Sequence, residues 1–179
     1  MKTNVVNEGL KWGSICGLIA ILITYGSWAA GLSSFVTITF FSTFVPYMVA
    51  IIVFAGISLK KQNNGVLPFS QALKFSFLSY VTVAVILAIG TYVLYNLIDP
   101  ELTLKSVQAS AEKTRSMMEK FGAKEEDIEK AIQSMEAEGA KGTGIGKILM
   151  GTGLGLIWDF CKSLLISLVI RKEEKFEDQ

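Results

Sequence analysis

One uncharged stretch constrains this chain more than any other feature, because residues 12–59 contain no Asp, Glu, Lys or Arg. A second uncharged stretch covers residues 75–98. A helix needs about 20 apolar residues to cross the hydrocarbon core of a bilayer. The chain is 51% hydrophobic and 18% charged, whereas soluble domains carry about 25% charged residues. The sequence therefore predicts an all-α, polytopic membrane protein whose surroundings include the lipid bilayer.

The residue types exclude several kinds of site. The chain has no histidine, which excludes imidazole metal sites and nucleophilic triads that need His. Cys16 and Cys161 lie in apolar segments, where a thiol acts as a small hydrophobic group. The net charge is +1, so no basic field favours binding to nucleic acid. We therefore expect no metal, no cofactor and no nucleic-acid partner.

Four apolar segments are predicted to span the membrane as a four-helix bundle, at about 12–31, 35–59, 75–98 and 145–170. Pro46 lies near the middle of the second segment and cannot donate a backbone hydrogen bond. We expect it to kink that helix and to free the carbonyl of Ser42. A kink of this kind can line a cavity or can be purely structural, and the sequence leaves both open.

The fourth segment carries two charges away from its ends, Asp159 and Lys162. An isolated charge at the middle of a bilayer costs about 2.5–3.5 kcal/mol on insertion scales. The i, i+3 spacing places both side chains on one helix face, where they can pair. This candidate charge pair can serve a proton or ion relay or a subunit contact, and a packing ion pair inside the bundle is the alternative. A surface helix is also possible, but the basic stop at Arg171, before the polar tail 171–179, favours a full crossing.

Residues 99–144 are expected to form an αα-hairpin outside the membrane. Asp99 before Pro100 predicts the start of a helix, with Asp99 as its N-cap and Pro100 at the first helical position. Apolar residues then recur at spacings of 3 and 4, and Gly122 separates the first helix from the second. The seam either closes the hairpin on itself or docks another helix or subunit. The candidate docking residues are Leu104, Val107, Met118 and Phe121.

Within the predicted spans, two glycine pairs have the G-x-x-x-G spacing that permits close packing of membrane helices: Gly13 with Gly17, and Gly151 with Gly155. Glycines that merely fill a membrane helix explain the pattern equally well. The glycine-rich run 142–147 does not match a phosphate-binding loop, because Ile148 stands where Ser or Thr is required.

The distribution of basic residues predicts the orientation. Residues 1–11, 60–74 and 171–179 together hold eight Lys and Arg in 35 residues, whereas residues 99–147 hold eight in 49. Cytoplasmic segments carry an excess of Lys and Arg. We therefore expect both termini in the cytoplasm and the hairpin on the opposite side.

Three segments resemble those of a known family: Trp12–Gly17, Gly65–Lys74 and Tyr95–Leu102. The chain is similar to four-span integral membrane proteins, found mainly in Bacteroidota, that are catalogued as domain of unknown function 4199. The resemblance covers nearly the whole chain and implies an inner-membrane location. It implies no activity, ligand or catalytic residue, so no site is carried over from it.

Two functions from different classes are consistent with these features. The first is a non-enzymatic accessory or scaffold subunit that binds another membrane protein, or a second copy of the chain, through its hairpin and glycine faces. The second is a small transporter or ion-coupled permease with Asp159 as the titrating group and Pro46 at a gate. We favour the first, because no catalytic set can be recognised and no enzymatic activity is expected.

Overall fold

The computed structural model describes residues 4–42 and 46–172, and these fold into seven α-helices. The helices are α1 (Val5–Ala29), α2 (Leu32–Ser42), α3 (Tyr47–Gln62), α4 (Phe69–Val93), α5 (Leu102–Lys120), α6 (Glu125–Ala140) and α7 (Ile145–Ile170). A π-helical turn, Leu94–Ile98, continues α4. Within the described ranges, extended pairing is limited to one isolated bridge between Leu67 and Lys172. The all-α prediction is confirmed.

Three helices are long and apolar enough to cross a membrane: Val5–Ala29, Phe69–Ile98 and Ile145–Ile170. Only 22–28% of the residues in their most apolar windows are buried inside the molecule. Most of their apolar side chains therefore need an apolar environment outside the protein. The chain thus has the helices of a membrane protein, as its uncharged stretches predict.

The second predicted span, about 35–59, is not one continuous helix over the residues that the structure describes. Helix α2 ends at Ser42 and α3 begins at Tyr47, with Pro46 at the N-cap position of α3. Residues 43–45 lie outside the described part. The two helices have 11 and 16 residues, which gives each a length below the bilayer core of about 30 Å. The physical reason is Pro46, since its ring clashes with the carbonyl four residues earlier and it donates no hydrogen bond.

The chain divides into two compact units. The first unit contains residues 4–21, 46–88 and 150–172 of the described chain. Its core takes side chains from α1, α3, α4 and α7, among them Cys16, Ile52, Phe75, Tyr80 and Ile166. Four helices therefore meet in this core, although only three of them are long enough to span a membrane alone.

The second unit contains residues 22–42 and 89–149 of the described chain. Helices α5 and α6 pack against each other, and α2 packs against α5. A small apolar core joins Phe35 and Val36 of α2 to Leu94 and Leu102. The turn between α5 and α6 contains Gly122 with φ of 73°, a left-handed conformation that glycine adopts without steric cost.

Candidate functional site

Asp159 and Lys162 lie one turn apart on α7 in the first unit and form an ion pair. The Nζ of Lys162 is 2.5 Å from Oδ1 of Asp159. The side chain of Lys162 is 31% exposed and that of Asp159 is 19% exposed. The same ammonium group lies 4.7 Å from the ring centroid of Tyr80 on α4, which is a cation–π distance. Each charge therefore has a partner within the first unit.

Polar groups without partners occur close to this pair. Four serines of α4 and α7 are fully buried: Ser76, Ser79, Ser163 and Ser167. The hydroxyl of Ser163 donates to the backbone carbonyl of Asp159 at 2.7 Å. The hydroxyls of Tyr80 and of Ser76, one turn earlier on α4, are buried and have no hydrogen-bond partner among the described residues. An unpaired hydroxyl in an apolar environment costs free energy, so a hydrogen-bond partner for either group would stabilise the first unit.

The chemistry open to this cluster is limited. Since Asp159 and Lys162 compensate each other, the pair needs no external ion to reduce its cost in an apolar environment. A proton relay would need further titratable groups, and Tyr80 is the one that directly contacts the pair. Across residues 4–42 and 46–172, no three His, Cys, Asp or Glu side chains lie together where they could hold a metal ion.

The first glycine pair lies against α4. A Cβ on Gly13 would lie 2.5 Å from the carbonyl oxygen of Ser79, and one on Gly17 would lie 2.8 Å from Cδ1 of Ile86. Neither contact leaves room for a side chain, so α1 and α4 approach each other closely at these positions.

The second glycine pair is open. A Cβ on Gly151 or Gly155 would meet nothing within 4 Å, and both residues are exposed on α7. Sequence analysis missed two further close contacts, those of Gly56 with Ile170 and of Gly139 with Val107. Neither glycine belongs to a G-x-x-x-G pair, so the motif gave no signal for them.

Helix α5 does not begin as the sequence predicts. It starts at Leu102, and Glu101 occupies the N-cap position without a side-chain cap. The prediction that Asp99 is the N-cap is wrong. Its carboxylate instead accepts a hydrogen bond of 3.2 Å from Nε1 of Trp28 and lies 3.5 Å from Nζ of Lys105. Pro100 lies in the turn before the helix, where the amide of Leu102 donates to the Asp99 carbonyl.

The four candidate docking residues have different environments. Phe121 is 83% exposed and Leu104 is 51% exposed. Val107 packs on Gly139 of α6, with its Cγ2 2.7 Å from the position of a Cβ there, and Met118 is half-buried. The centre of the predicted seam therefore contributes to packing within the unit, whereas its two ends remain open.

Exposed ion pairs shift two pKa values in the second unit. The hydrogen bond from Lys105 to Glu101 raises the pKa of the Lys105 ammonium group, and the charge of Asp99 adds to this effect. The hydrogen bond from Lys141 lowers the pKa of the Glu138 carboxyl group, with a further contribution from Lys147. Exposed pairs of this kind contribute little to stability.

Thr143 holds the glycine-rich linker between α6 and α7, and sequence analysis did not single it out. Its carbonyl accepts a hydrogen bond of 2.9 Å from Nδ2 of Asn96, and its hydroxyl lies 2.8 Å from that of Thr103. These partners are 47 and 40 residues away in the sequence, so no local spacing could reveal them.

One comparison with known proteins gives a result. A family model described as "Protein of unknown function (DUF4199)" matches residues 11–172. No curated protein and no solved structure matches the chain. A function has to be argued from the residues themselves, because the family description names no activity.

Proposed function

We propose a function for this chain, which belongs to the DUF4199 family of proteins of unknown function, from the exposure and packing of its side chains. In this proposal the protein is a non-enzymatic accessory or scaffold subunit of the bacterial inner membrane that binds a partner membrane protein through α5 and α6. The observation that carries this proposal is Phe121, whose side chain is 83% exposed at the turn between these two polar helices. A large aromatic side chain left open on a polar element is typical of a contact surface.

Met117 extends the exposed surface at Phe121. It lies four residues before Phe121, and residues at this spacing share one helix face. Its side chain is 45% exposed. Aromatic residues and Met are enriched in protein interfaces, where a few such anchors supply most of the binding energy. Met117 and Phe121 therefore form the surface through which we expect the partner to bind.

The open glycines of α7 support a second contact, within the bilayer. Gly151 and Gly155 have free space around them, and Leu154 and Trp158 on the same helix are 60% and 68% exposed. A G-x-x-x-G pair lets a second helix approach the backbone closely. A helix of the partner, or a second copy of this chain, fits such a surface.

The packing of α1 against α4 supports four membrane crossings. Gly9, Gly13 and Gly17 of α1 lie against successively later residues of α4, namely Phe75, Ser79 and Ile86. The two helices are therefore parallel, and the chain has to return between them. In our proposal α2 and α3 together make this return, with Pro46 at the break between them.

The end of α7 supports the same number of crossings. Leu67, just before α4, exchanges two backbone hydrogen bonds with Lys172, just after α7, at 2.9 and 2.8 Å. The start of α4 and the end of α7 therefore lie together. With four crossings both termini face the cytoplasm, in agreement with the distribution of Lys and Arg, and α5 and α6 lie on the opposite side.

Purification of the tagged full chain from native membranes in a mild detergent, followed by mass spectrometry of the intact particle, tests the proposal. We expect a stoichiometric partner with the unchanged chain and with the control Lys120→Glu, which alters an exposed neighbour on α5. Phe121→Glu should lose that partner while keeping its yield and helical content. A partner retained by Phe121→Glu, or a particle that contains only this chain, contradicts binding to a partner protein through this surface.

A small transporter is the second candidate, and the unpartnered buried hydroxyl of Tyr80, whose ring contacts Lys162 of the Asp159–Lys162 pair, favours it. Polar groups of this kind inside a membrane segment mark ion pathways in transporters. Proton flux into liposomes containing the purified chain tests it. Asp159→Asn should abolish the flux and Glu112→Gln, an exposed carboxylate of α5, should not. Equal flux in both variants excludes Asp159 as the titrating group.

A further inference from the structure

A groove with a volume of about 530 Å³ lies in the second unit between α2 and α5. This volume is within the range of pockets that bind small ligands. The surface of its wall is mainly apolar, and six of its thirteen lining residues are apolar side chains from α2, α5 and α6: Phe35, Val36, Phe41, Val107, Met117 and Met135. A groove of this composition favours a ligand that is itself mostly apolar.

Lys113 is the one charged residue among those that line the groove, and none of the lining residues is acidic. Its Nζ donates a hydrogen bond of 2.5 Å to Oγ1 of Thr37. An ammonium group has three donors, so two remain for a ligand. Over the described part of the chain, Lys113 forms no ion pair, whereas Lys105 and Arg115 on the same helix each contact a carboxylate. The groove thus presents an uncompensated positive charge.

Ser106 supplies a further polar group in the wall of the groove. Its hydroxyl oxygen is buried and lies next to the hydroxyl of Tyr95, but without a hydrogen bond of good geometry. Buried hydroxyls usually have a partner. A polar atom of a bound molecule would provide one.

The groove lies where two candidate membrane spans end. Helix α2 follows α1 after a short turn, and Phe35 is six residues past Ala29, the last residue of α1. Tyr95, which also lines the groove, is three residues before the end of the span Phe69–Ile98. The groove is therefore close to the ends of both candidate spans, where the lipids of one leaflet would lie if these helices cross a membrane.

We infer that this groove binds one acyl chain of an anionic membrane phospholipid, whose headgroup phosphate contacts Lys113. The apolar wall matches the chain, the single uncompensated cation matches the phosphate, and the position matches a lipid of the leaflet. A phosphate oxygen forms strong, charge-assisted hydrogen bonds with an ammonium group. The groove shares Met117 with the proposed partner surface, but the tests below change Lys113 and Ser110, which lie outside that surface, so each proposal can fail alone.

Native mass spectrometry of the full chain in detergent tests the inference, with phosphatidylglycerol and phosphatidylcholine of identical acyl chains as probes. We expect the unchanged chain to prefer phosphatidylglycerol. Lys113→Gln should lower that preference about fivefold, the value of one basic residue near an anionic membrane. Lys120→Gln, on the same helix but outside the groove, should leave it unchanged. Equal preference in the three proteins overturns the inference.

Photocrosslinking gives a second readout that does not depend on a variant of Lys113. Phosphatidylglycerol with a diazirine near the end of one acyl chain should label α2 and α5 in the unchanged chain, and Ser110→Trp, which fills the groove, should lose this label. Labels confined to α1, α4 and α7 overturn the inference. So does loss of the α2 and α5 labels on adding an equimolar free fatty acid, because the ligand would then be the fatty acid.

Discussion

The contacts within the first unit differ in kind from the contacts within the second unit. In the first unit, glycines and serines allow helices to approach closely, as at Gly13 and Ser79. In the second unit, polar side chains also connect separate elements, as in the hydrogen bond from Trp28 to Asp99. Six of the eight ion pairs found among the described residues lie in the second unit. The second unit also contains α5 and α6, which carry most of the charge.

We propose that the difference follows from the solvent around each region, which is lipid for the helices of the first unit and water for α5 and α6. Helices in lipid gain nothing by removing apolar surface from water, so close van der Waals packing between small residues has to hold them together. Helices in water bury an apolar face and expose a charged one. Four substitutions or conditions test this contrast, and we describe them from the largest expected effect to the smallest.

The largest effect is expected at the ion pair of the first unit. Asp159→Asn leaves Lys162 without its counter-charge in an apolar segment, which should lower the free energy of unfolding by about 3 kcal/mol. The double variant Asp159→Asn/Lys162→Met removes both charges and should recover most of that loss. The free energy of unfolding of both variants can be measured in mixed micelles by raising the fraction of a denaturing detergent. A double variant as unstable as the single one would show that the pair is not compensated by its own two charges.

Gly13→Leu should have the next largest effect, about 1–3 kcal/mol, because a side chain at this position collides with the backbone of α4. Gly151→Leu is the matched control, since a Cβ at Gly151 meets nothing within 4 Å. Its free energy of unfolding should be unchanged in the same assay. Equal losses in the two variants would contradict the assignment of the Gly13 effect to its close contact with α4.

Trp28→Phe probes the second unit and should cost about 1 kcal/mol, because it removes a hydrogen bond to the carboxylate of Asp99. Trp158→Phe is its control, as Trp158 is 68% exposed and no described side chain depends on it. The thermal midpoint of the detergent-solubilised chain should fall for the first variant only. If the thermal midpoint fell for Trp158→Phe alone, Trp158 and not Trp28 would contribute to stability, which contradicts the prediction.

The smallest effect is the pH dependence of the second unit. The pKa of Glu138 is lowered from its ordinary 4.5, so its contribution is present above that value and is lost as the pH falls through the folded pKa. The pKa of Lys105 is raised from 10.5, so its contribution is present below that value and is lost as the pH rises through the folded pKa. Both groups are exposed, and the changes should be slight.

The thermal midpoint, measured as a function of pH, should fall slightly at acid pH (the acid limb) and slightly at alkaline pH (the alkaline limb). Glu138→Gln should flatten the acid limb and Lys105→Met the alkaline one, and the chain has no histidine to titrate between them. A steep change near neutral pH in the unchanged chain would contradict this account, because no described group of the second unit accounts for it.

Local patterns in the sequence are enough to predict the features that depend on one helix. Uncharged stretches indicate most of α1 and α4, because burial in lipid forbids isolated charges over about 20 residues. A long apolar segment indicates α7, although it carries Asp159 and Lys162. The i, i+3 spacing of Asp159 and Lys162 indicates their ion pair, since both side chains lie on one face of α7. These inferences need no knowledge of how the helices pack.

Features that depend on distant residues could not be predicted. Asp99 looks like a helix cap in the sequence, but Trp28, 71 residues away, and Lys105 take its carboxylate. Thr143 has no motif of its own, because its partners lie in α5 and at the end of α4. Tertiary contacts decide both cases, and single-sequence patterns carry no information about them.

Cysteine accessibility tests most directly the claim that the two regions face different solvents. Phe121 and Phe54 are 83% and 73% exposed, yet we propose that Phe121 lies in water and Phe54 of α3 in lipid. Single cysteines at these positions, in a chain with Cys16 and Cys161 replaced, are treated with a membrane-impermeant maleimide applied to both sides of the membrane. We predict that the cysteine replacing Phe121 is labelled rapidly and that the cysteine replacing Phe54 is labelled only after denaturation. Equal labelling of the two positions in intact membranes would contradict it.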